Sequence, residues 1–394
     1  MTPSKSRRQH IAAEFAARFA AEPSVWVRAP GRVDLMGSHT DYNMGHVLTM
    51  AIDRDTWIAA RPRADNAVRI RSLTIDGESV FALDDITHDT QRPWADYVRG
   101  VAAVLQAEGC ALTGFDGLVH STIPIGSGLS SSAALECATA VLFQTLGGWQ
   151  MDSVEMARLC QRAENEFVGM NCGLLDQYSS MMGQTGSAIC LDCRSLTNTP
   201  VAVPNSMQVV ICDTCARRQL TGTEYSERRA QCEEGARLLG QFYPGVTALR
   251  DVSLEQFERH EHDLPEIVAR RCRFIIEEDA RVLQLAEALP VADLDTIRDL
   301  SVSSFAGACA LYEICSAEMT AMMDALLGAP GVIGARQAGA GFGGCMVAFV
   351  DAAQVEAFRE AVATGYLRDT GIRPEIYAAR PAPGAGMVED SLER

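Results

Sequence analysis

An α+β fold in two halves is what the sequence predicts, and three observations lead there. The chain has 394 residues, more than one hydrophobic core comfortably holds, so two domains or two tightly fused halves are expected. Its 47% apolar and 22% charged residues are ordinary for a globular protein. Strand-like runs rich in Val, Ile, Trp and Thr are mixed with helix-period segments, and this mixture defines the class.

Residues Met1 to Glu22 hold Arg7, Arg8 and a short alanine-rich amphipathic pattern, with no apolar core or cleavage site of a secretory signal. Residues 25–29 and 46–62 read as strands around a polar loop, Gly31 to Gly45. Pro93-Trp94 opens a helix through Val98, Val101 and Leu105 that Gly109 ends. A strand at 118–122 feeds a glycine-rich turn and a helix from Ser130 to about Leu146. Helices follow over Val154 to Val168 and from Gly173 to Met182, then strands at 188–191 and 208–212. The chain then reads as mainly helical to Leu327. A glycine-rich turn, a strand at 345–350, a helix at 353–364 and a last strand near Glu375 to Ala379 complete it. The pattern changes near residue 200, which divides the chain into residues 1–200 and 201–394.

A net charge of −17 repels polyanions, and the basic residues are scattered arginines, Lys5 being the single lysine. Nucleic acid is therefore excluded as a partner. No run is long enough to span a bilayer, so a cytoplasmic protein with no membrane partner is expected. The 13 cysteines then read as mostly reduced, small apolar fillers. Cys190-Leu-Asp-Cys193 and Cys212-Asp-Thr-Cys215 are spaced as in a zinc ribbon, yet both pairs sit in strand-like runs without the glycine of a metal knuckle. Two buried strands are the better reading.

Three glycine-containing clusters carry the chemistry. In Pro124 to Cys137, the residues Gly126, Ser127, Gly128, Leu129, Ser130, Ser131 and Ser132 form a turn that opens a helix. Unpaired N–H groups and the dipole at such a start favour phosphate oxygens. No lysine follows, so this is not a Walker loop; the plain alternative is a tight turn capped by Ser130. A second cluster, Gly339-Ala-Gly-Phe-Gly-Gly344, matches GxGxxG but precedes a strand, which excludes a dinucleotide fingerprint. The third, Arg28 to Asn43, crowds Arg32, His39, Asp41, Tyr42 and Asn43 into one segment suited to a polyhydroxyl ligand.

Together these clusters resemble the signature segments of the GHMP family of small-molecule kinases, in its galactokinase branch. The likeness continues through Pro93 to Gly100, Ala163 to Met170, Cys172 to Tyr178, Leu191 to Leu196 and Glu224 to Glu233, nearly the whole chain. The resemblance implies a ribosomal-S5-like N-terminal domain, a ferredoxin-like C-terminal domain and a site between them. It further implies transfer of phosphate from ATP, with Mg²⁺, to the anomeric hydroxyl of a galactose-type sugar by a monomer. Asp176 matches the family's catalytic aspartate and Arg32 the arginine beside the γ-phosphate. Ser132 and Glu164 match its magnesium ligands, Trp94 its adenine contact, and His39, Asp41 and Tyr225 its sugar contacts.

Two departures concern the sugar. Ser38 stands where galactokinases usually carry a glutamate that binds the C6 hydroxyl, a change compatible with galacturonate or with arabinose, which lacks C6. Cys309-Ala-Leu replaces a charged run before Tyr312-Glu313, and the segment from Ala329 through Arg336 to Asp351 is also similar to the galacturonokinase type. A non-catalytic sugar and ATP sensor is the alternative of another class. Retention of Arg32, Asp176, Ser132 and Glu164 argues for catalysis.

Overall fold

In the computed structural model, which describes residues 3–170, 172–216 and 223–388, the site is framed by two sheets. The first contains β1 (Val25–Met36), β2 (His46–Pro62), β3 (Ala67–Ser72), β4 (Gly77–Ala82), β5 (Phe115–Ser121), β6 (Ser187–Asp192) and β7 (Thr197–Ala202). The second contains β8 (Met207–Asp213), β9 (Val332–Gln337), β10 (Cys345–Asp351) and β11 (Glu375–Ala379), in the order β11-β8-β10-β9. A last short strand, β12 (Gly386–Met387), returns to pair with β1.

β1 is buried along its whole length after Val25, as expected of a strand covered on both faces. On one side α1 (Pro3–Phe19) sets Ile11 and Phe15 against Trp26, Trp57 and Leu118. The other side is covered by α2 (Asp96–Ala107), α3 (Ser131–Gly147), α4 (Ser153–Arg162) and α5 (Leu175–Met182). Small residues such as Ala133, Ala134 and Ala138 are fully buried and let α3 lie close against the sheet. The helical middle comprises α6 (Thr223–Leu239), α7 (Leu254–His260), α8 (Glu266–Ala288), α9 (Leu294–Gly307) and α10 (Ala317–Leu327). α11 (Val355–Thr370) joins α10 in covering the outer face of the second sheet. The inner face of that sheet, with Val209, Ile211, Val347 and Phe349, belongs to the same continuous core as Val33, Leu35 and Leu142. The halves are thus fused through one core.

The structure departs from the sequence reading at several elements. The loop expected from Gly31 begins only at Gly37, because β1 runs on through Pro30 and Gly31 with a register shift between Pro30 and Arg32. That bulge re-aims the strand where Arg32 leaves it. The hairpin of β3 and β4, the exposed edge strand β7 and strand β9 carry no long apolar run: Arg69 and Arg71 break the first, Pro200 the second, Gly334 and Arg336 the third. The helix expected over Val154 to Val168 ends at Arg162 and widens into a π-type turn, Ala163–Val168, a local device common at functional sites. Cys309 and Cys315 form a disulfide across a tight turn, correcting the expectation for those two; the other eleven cysteines form no disulfide. Cys190 lies in the first sheet and Cys212 in the second, and no group able to hold a metal is formed by three or more His, Cys, Asp or Glu among the described residues. None of the described helices is long and apolar enough to cross a membrane.

Candidate active site

The bulge at Gly31 brings the first and third clusters together. A Cβ at Gly31 would lie 2.6 Å from the Leu129 carbonyl oxygen, and the Arg32 N–H donates to that carbonyl at 3.2 Å. Only glycine allows this approach. It seats the turn ahead of α3 directly beside Arg32, whose Nη1 donates to the Gly128 carbonyl at 2.7 Å.

Arg32 also grips Asp176, at the start of α5. Nε donates to Asp176 Oδ1 at 2.8 Å and Nη2 donates to the same oxygen. Ser130 Oγ donates to Oδ2 at 2.5 Å. The plain alternative of a turn capped by Ser130 fails: Ser130 sits in the left-handed region at φ 58° with no capping bond, and its hydroxyl is turned to Asp176. Burial alone would depress Arg32, but Asp176 and Asp34 hold it above its ordinary value. Asp34, one of the residues missed from sequence, stands with Oδ1 3.4 Å from Arg32 Nε, and burial pushes its carboxyl up.

Two cavities meet at this pair. The smaller, about 230 Å³, is walled by Ser38, His39, Asp41, Tyr225, Cys172 and Gly173 among others. The larger, about 570 Å³, is walled by Gly126, Gly128, Ser130, Ser131, Ser132, Glu164, Trp94 and Tyr97 among others. Both include Arg32, Asp176, Gly339 and Ala340. The glycine loop between β9 and β10 therefore lies over the junction. A Cβ at Gly341 (φ +81°) would lie 2.8 Å from the Ile314 carbonyl oxygen, so the loop is seated against the turn that the disulfide closes.

Ser127 and Leu129 do not line either cavity. Ser127 is buried with its hydroxyl donating to the Pro124 carbonyl at 2.8 Å, and Leu129 packs in the core. Trp94 lines the larger cavity with its Nε1 buried and without a partner among the described residues. Beside it, Tyr97, Ser72, Thr74 and Ile75 were not singled out from sequence; Ser72 ends the strand β3 that lacked a recognisable run, and Thr74 and Ile75 lie in the turn after it.

The Glu164 carboxyl, placed by the π-type turn, accepts from Gln177 Nε2 at 2.6 Å and from Cys172 Sγ at 3.2 Å. Burial pushes it up, against hydrogen bonds from Cys172, Gln177 and Ser132. A buried carboxylate next to a serine hydroxyl in the same cavity is a donor set of hard oxygens, which fits Mg²⁺.

In the smaller cavity His39 Nδ1 is 3.0 Å from Tyr42 Oη and Nε2 is 2.9 Å from the Ala340 carbonyl oxygen. Burial pulls its imidazole down to about 4, so it is neutral near pH 7. The Tyr225 ring lies 5.7 Å from it. Burial pushes the Asp41 carboxyl up to about 6. Between about pH 4 and 6 the folded protein then holds a proton that the unfolded chain has released, so this residue makes stability fall as pH rises through that window. In Asp41→Asn the slope should be lost: thermal midpoints measured from pH 4 to 7 should show the parent losing ground relative to the variant, and parallel curves would contradict the shift.

These cavities can be compared with known proteins. Residues 13–62 match the galactokinase galactose-binding signature, and residues 96–184 and 285–367 match the N-terminal and C-terminal domains of GHMP kinases. A galactokinase of Roseiflexus sp. is 42% identical over 377 residues, covering 96% of each chain. The chain belongs to the galactokinase branch of the GHMP kinases. A Chloroflexus aggregans galactokinase is likewise 42% identical, covering 96% of each chain. The crystal structure of Lactococcus lactis galactokinase complexed with galactose superposes with a TM-score of 0.91 at 32% identity, over 96% of this chain and 99% of that one. At 17% identity the Methanococcus jannaschii mevalonate kinase shares the fold, with a TM-score of 0.62. The two-domain GHMP fold and a sugar kinase activity, with the ATP use inherent to this family, are thereby shown for the chain.

Proposed function

We propose that this GHMP kinase transfers the γ-phosphoryl group of ATP to the anomeric hydroxyl of a galactose-type sugar. Galactose is the sugar named for its relatives; galacturonate and L-arabinose are the further sugars that Ser38 brings into the reading. The observation that carries the proposal is the meeting of two cavities at the Arg32–Asp176 pair. Residues 1–200 would supply that pair and the phosphate-binding turn, and residues 201–394 the glycine loop over them.

Asp176 orients the anomeric hydroxyl and accepts its proton. Arg32, between the two cavities, stabilises the alkoxide character of that oxygen and the charge developing on the phosphoryl group, a role electrostatic in kind. The turn ahead of α3 lines the cavity where phosphates would lie, at a helix start that favours anions, and Trp94 with Tyr97 lines the part that would take the adenine. Ser132 and Glu164 would hold Mg²⁺, which neutralises phosphate charge when bound. Retention of all four groups in one place favours an enzyme over a sensor.

Incubation of the protein with ATP, Mg²⁺ and galactose should produce ADP and a sugar 1-phosphate in equal amounts; ADP formation independent of sugar would refute the reading. Glu164→Gln should raise the Mg²⁺ concentration needed for half-maximal rate by at least about 10-fold, with sugar affinity, read by calorimetry without nucleotide, unchanged. An unaltered Mg²⁺ requirement would remove Glu164 from the metal site.

A further inference from the structure

Behind Ser38 lies a buried guanidinium that the proposed reaction does not use. Arg336, on β9, is 0% exposed. Its Nη2 donates to Ser38 Oγ at 2.9 Å and to Glu278 Oε1 at 2.8 Å, and its Nε donates to Ser304 Oγ at 3.0 Å. Nη1 is buried with no hydrogen-bond partner among the described residues. Glu278, also fully buried, is shared: its Oε2 accepts from Arg281 Nη1 at 3.1 Å, and its Oε1 from Gly37 N–H at 3.1 Å. Arg281 has a second carboxylate, its Nη2 donating to Glu277 Oε2 at 2.8 Å, so Glu278 is the carboxylate that holds Arg336, and one N–H-bearing nitrogen of Arg336 is left over.

The consequence reaches the sugar cavity through Ser38, which lines it. A serine hydroxyl has one proton to give. Because Arg336 donates to its oxygen, that proton is left for an acceptor, and Ser38 meets the ligand as a donor backed by a positive charge. Of the acids of the cavity, Asp176 is held by Arg32 and Ser130, whereas Asp34 stands 3.4 Å from Arg32 Nε with its Oδ1 lacking a hydrogen-bond partner among the described residues. Asp34 and Asp41 remain as acceptors for sugar hydroxyls. In a pyranose, the exocyclic carbon is the one position that can be oxidised to a carboxylate while the ring and the anomeric hydroxyl stay intact.

We propose that Arg336, acting through Ser38, is a specificity-determining residue that selects a galactose-type sugar carrying a carboxylate at its exocyclic carbon, a hexuronate. This rests on the sugar 1-kinase reading above and narrows its substrate class. The carboxylate supplies an acceptor for the Ser38 proton beside the Arg336 guanidinium, and a charge-assisted bond of this kind is stronger than one between neutral groups.

The test compares kcat/KM for D-galacturonate and D-galactose, with ATP, in the parent, Ser38→Glu and Arg336→Lys. The parent should use galacturonate at least as well as galactose. Ser38→Glu places a negative charge against the carboxylate and should shift the ratio toward galactose by at least about 100-fold, through KM. Arg336→Lys, which keeps the charge but not the fork, should shift it by about 10-fold; thermal melting confirms that each variant is folded. If Arg336→Lys fails to fold, the parent and Ser38→Glu decide alone. A parent that phosphorylates galactose and prefers it by more than 10-fold overturns the inference while leaving the sugar-kinase reading intact. A ratio that Ser38→Glu does not move also overturns it. Phosphorylation of neither sugar defeats both.

Discussion

Asp176→Asn is expected to lose turnover by about 10²- to 10⁴-fold, the usual worth of a positioned general base, while nucleotide binding stays near the parent value. The substitution keeps the shape of the side chain. Its amide oxygen can still accept from Arg32 Nε, and its NH₂ group can face Ser130 Oγ, which is able to accept. The start of α5 should therefore stay in place. What disappears is the negative charge and the atom that takes the proton of the sugar hydroxyl. The loss corresponds to roughly 3 to 5 kcal/mol of barrier, and it should fall on kcat. Calorimetric titration with a non-hydrolysable nucleotide, beside steady-state rates, separates the two effects. Turnover within a few-fold of the parent would remove Asp176 from the reaction.

Arg32→Lys is expected to be nearly as damaging, on the order of 10²- to 10³-fold in kcat, as for removal of a preorganised donor. Here the charge is kept, so the loss isolates geometry. The guanidinium reaches Asp176 through Nε and Nη2 while Nη1 holds the Gly128 carbonyl, and it spans both cavities. A single ammonium on a flexible stem cannot hold the carboxylate and the phosphate-binding turn together. Nucleotide affinity should fall along with the rate, because the turn loses its tie to β1. A variant with parent-like kcat and only a raised KM would show that Arg32 binds substrate without acting in the transfer.

Much of this site is legible in sequence because its parts are short and contiguous. The glycine turn, the Arg28 to Asn43 segment and the second glycine cluster each declare themselves by composition. Their meeting does not, since it depends on Gly31 docking against the Leu129 carbonyl across the core. Helix and strand periods located α2, α3, β8, β10 and β11 well. They missed β3, β4, β7 and β9, where charged or proline positions interrupt the apolar alternation. Arg336 escaped for the same reason. A lone arginine in an apolar run reads as an edge or a break, and only the fold reveals the Glu278 and Ser304 partners that let it be buried. Asp34 was visible within its motif, but its burial beside Arg32 follows from β1 being covered on both faces. The disulfide between Cys309 and Cys315 has no signal in spacing that sets it apart from the eleven cysteines outside any disulfide.

The most direct measurement of the central claim, that Arg32 and Asp176 act on an anomeric oxygen, is the position of the transferred phosphate. Phosphorus and proton NMR of the product made from ATP and galactose or galacturonate should show one sugar phosphate, its phosphorus coupled to the anomeric proton, with the reducing end lost. Phosphate on any other hydroxyl, or consumption of ATP with the sugar unchanged, would contradict the account.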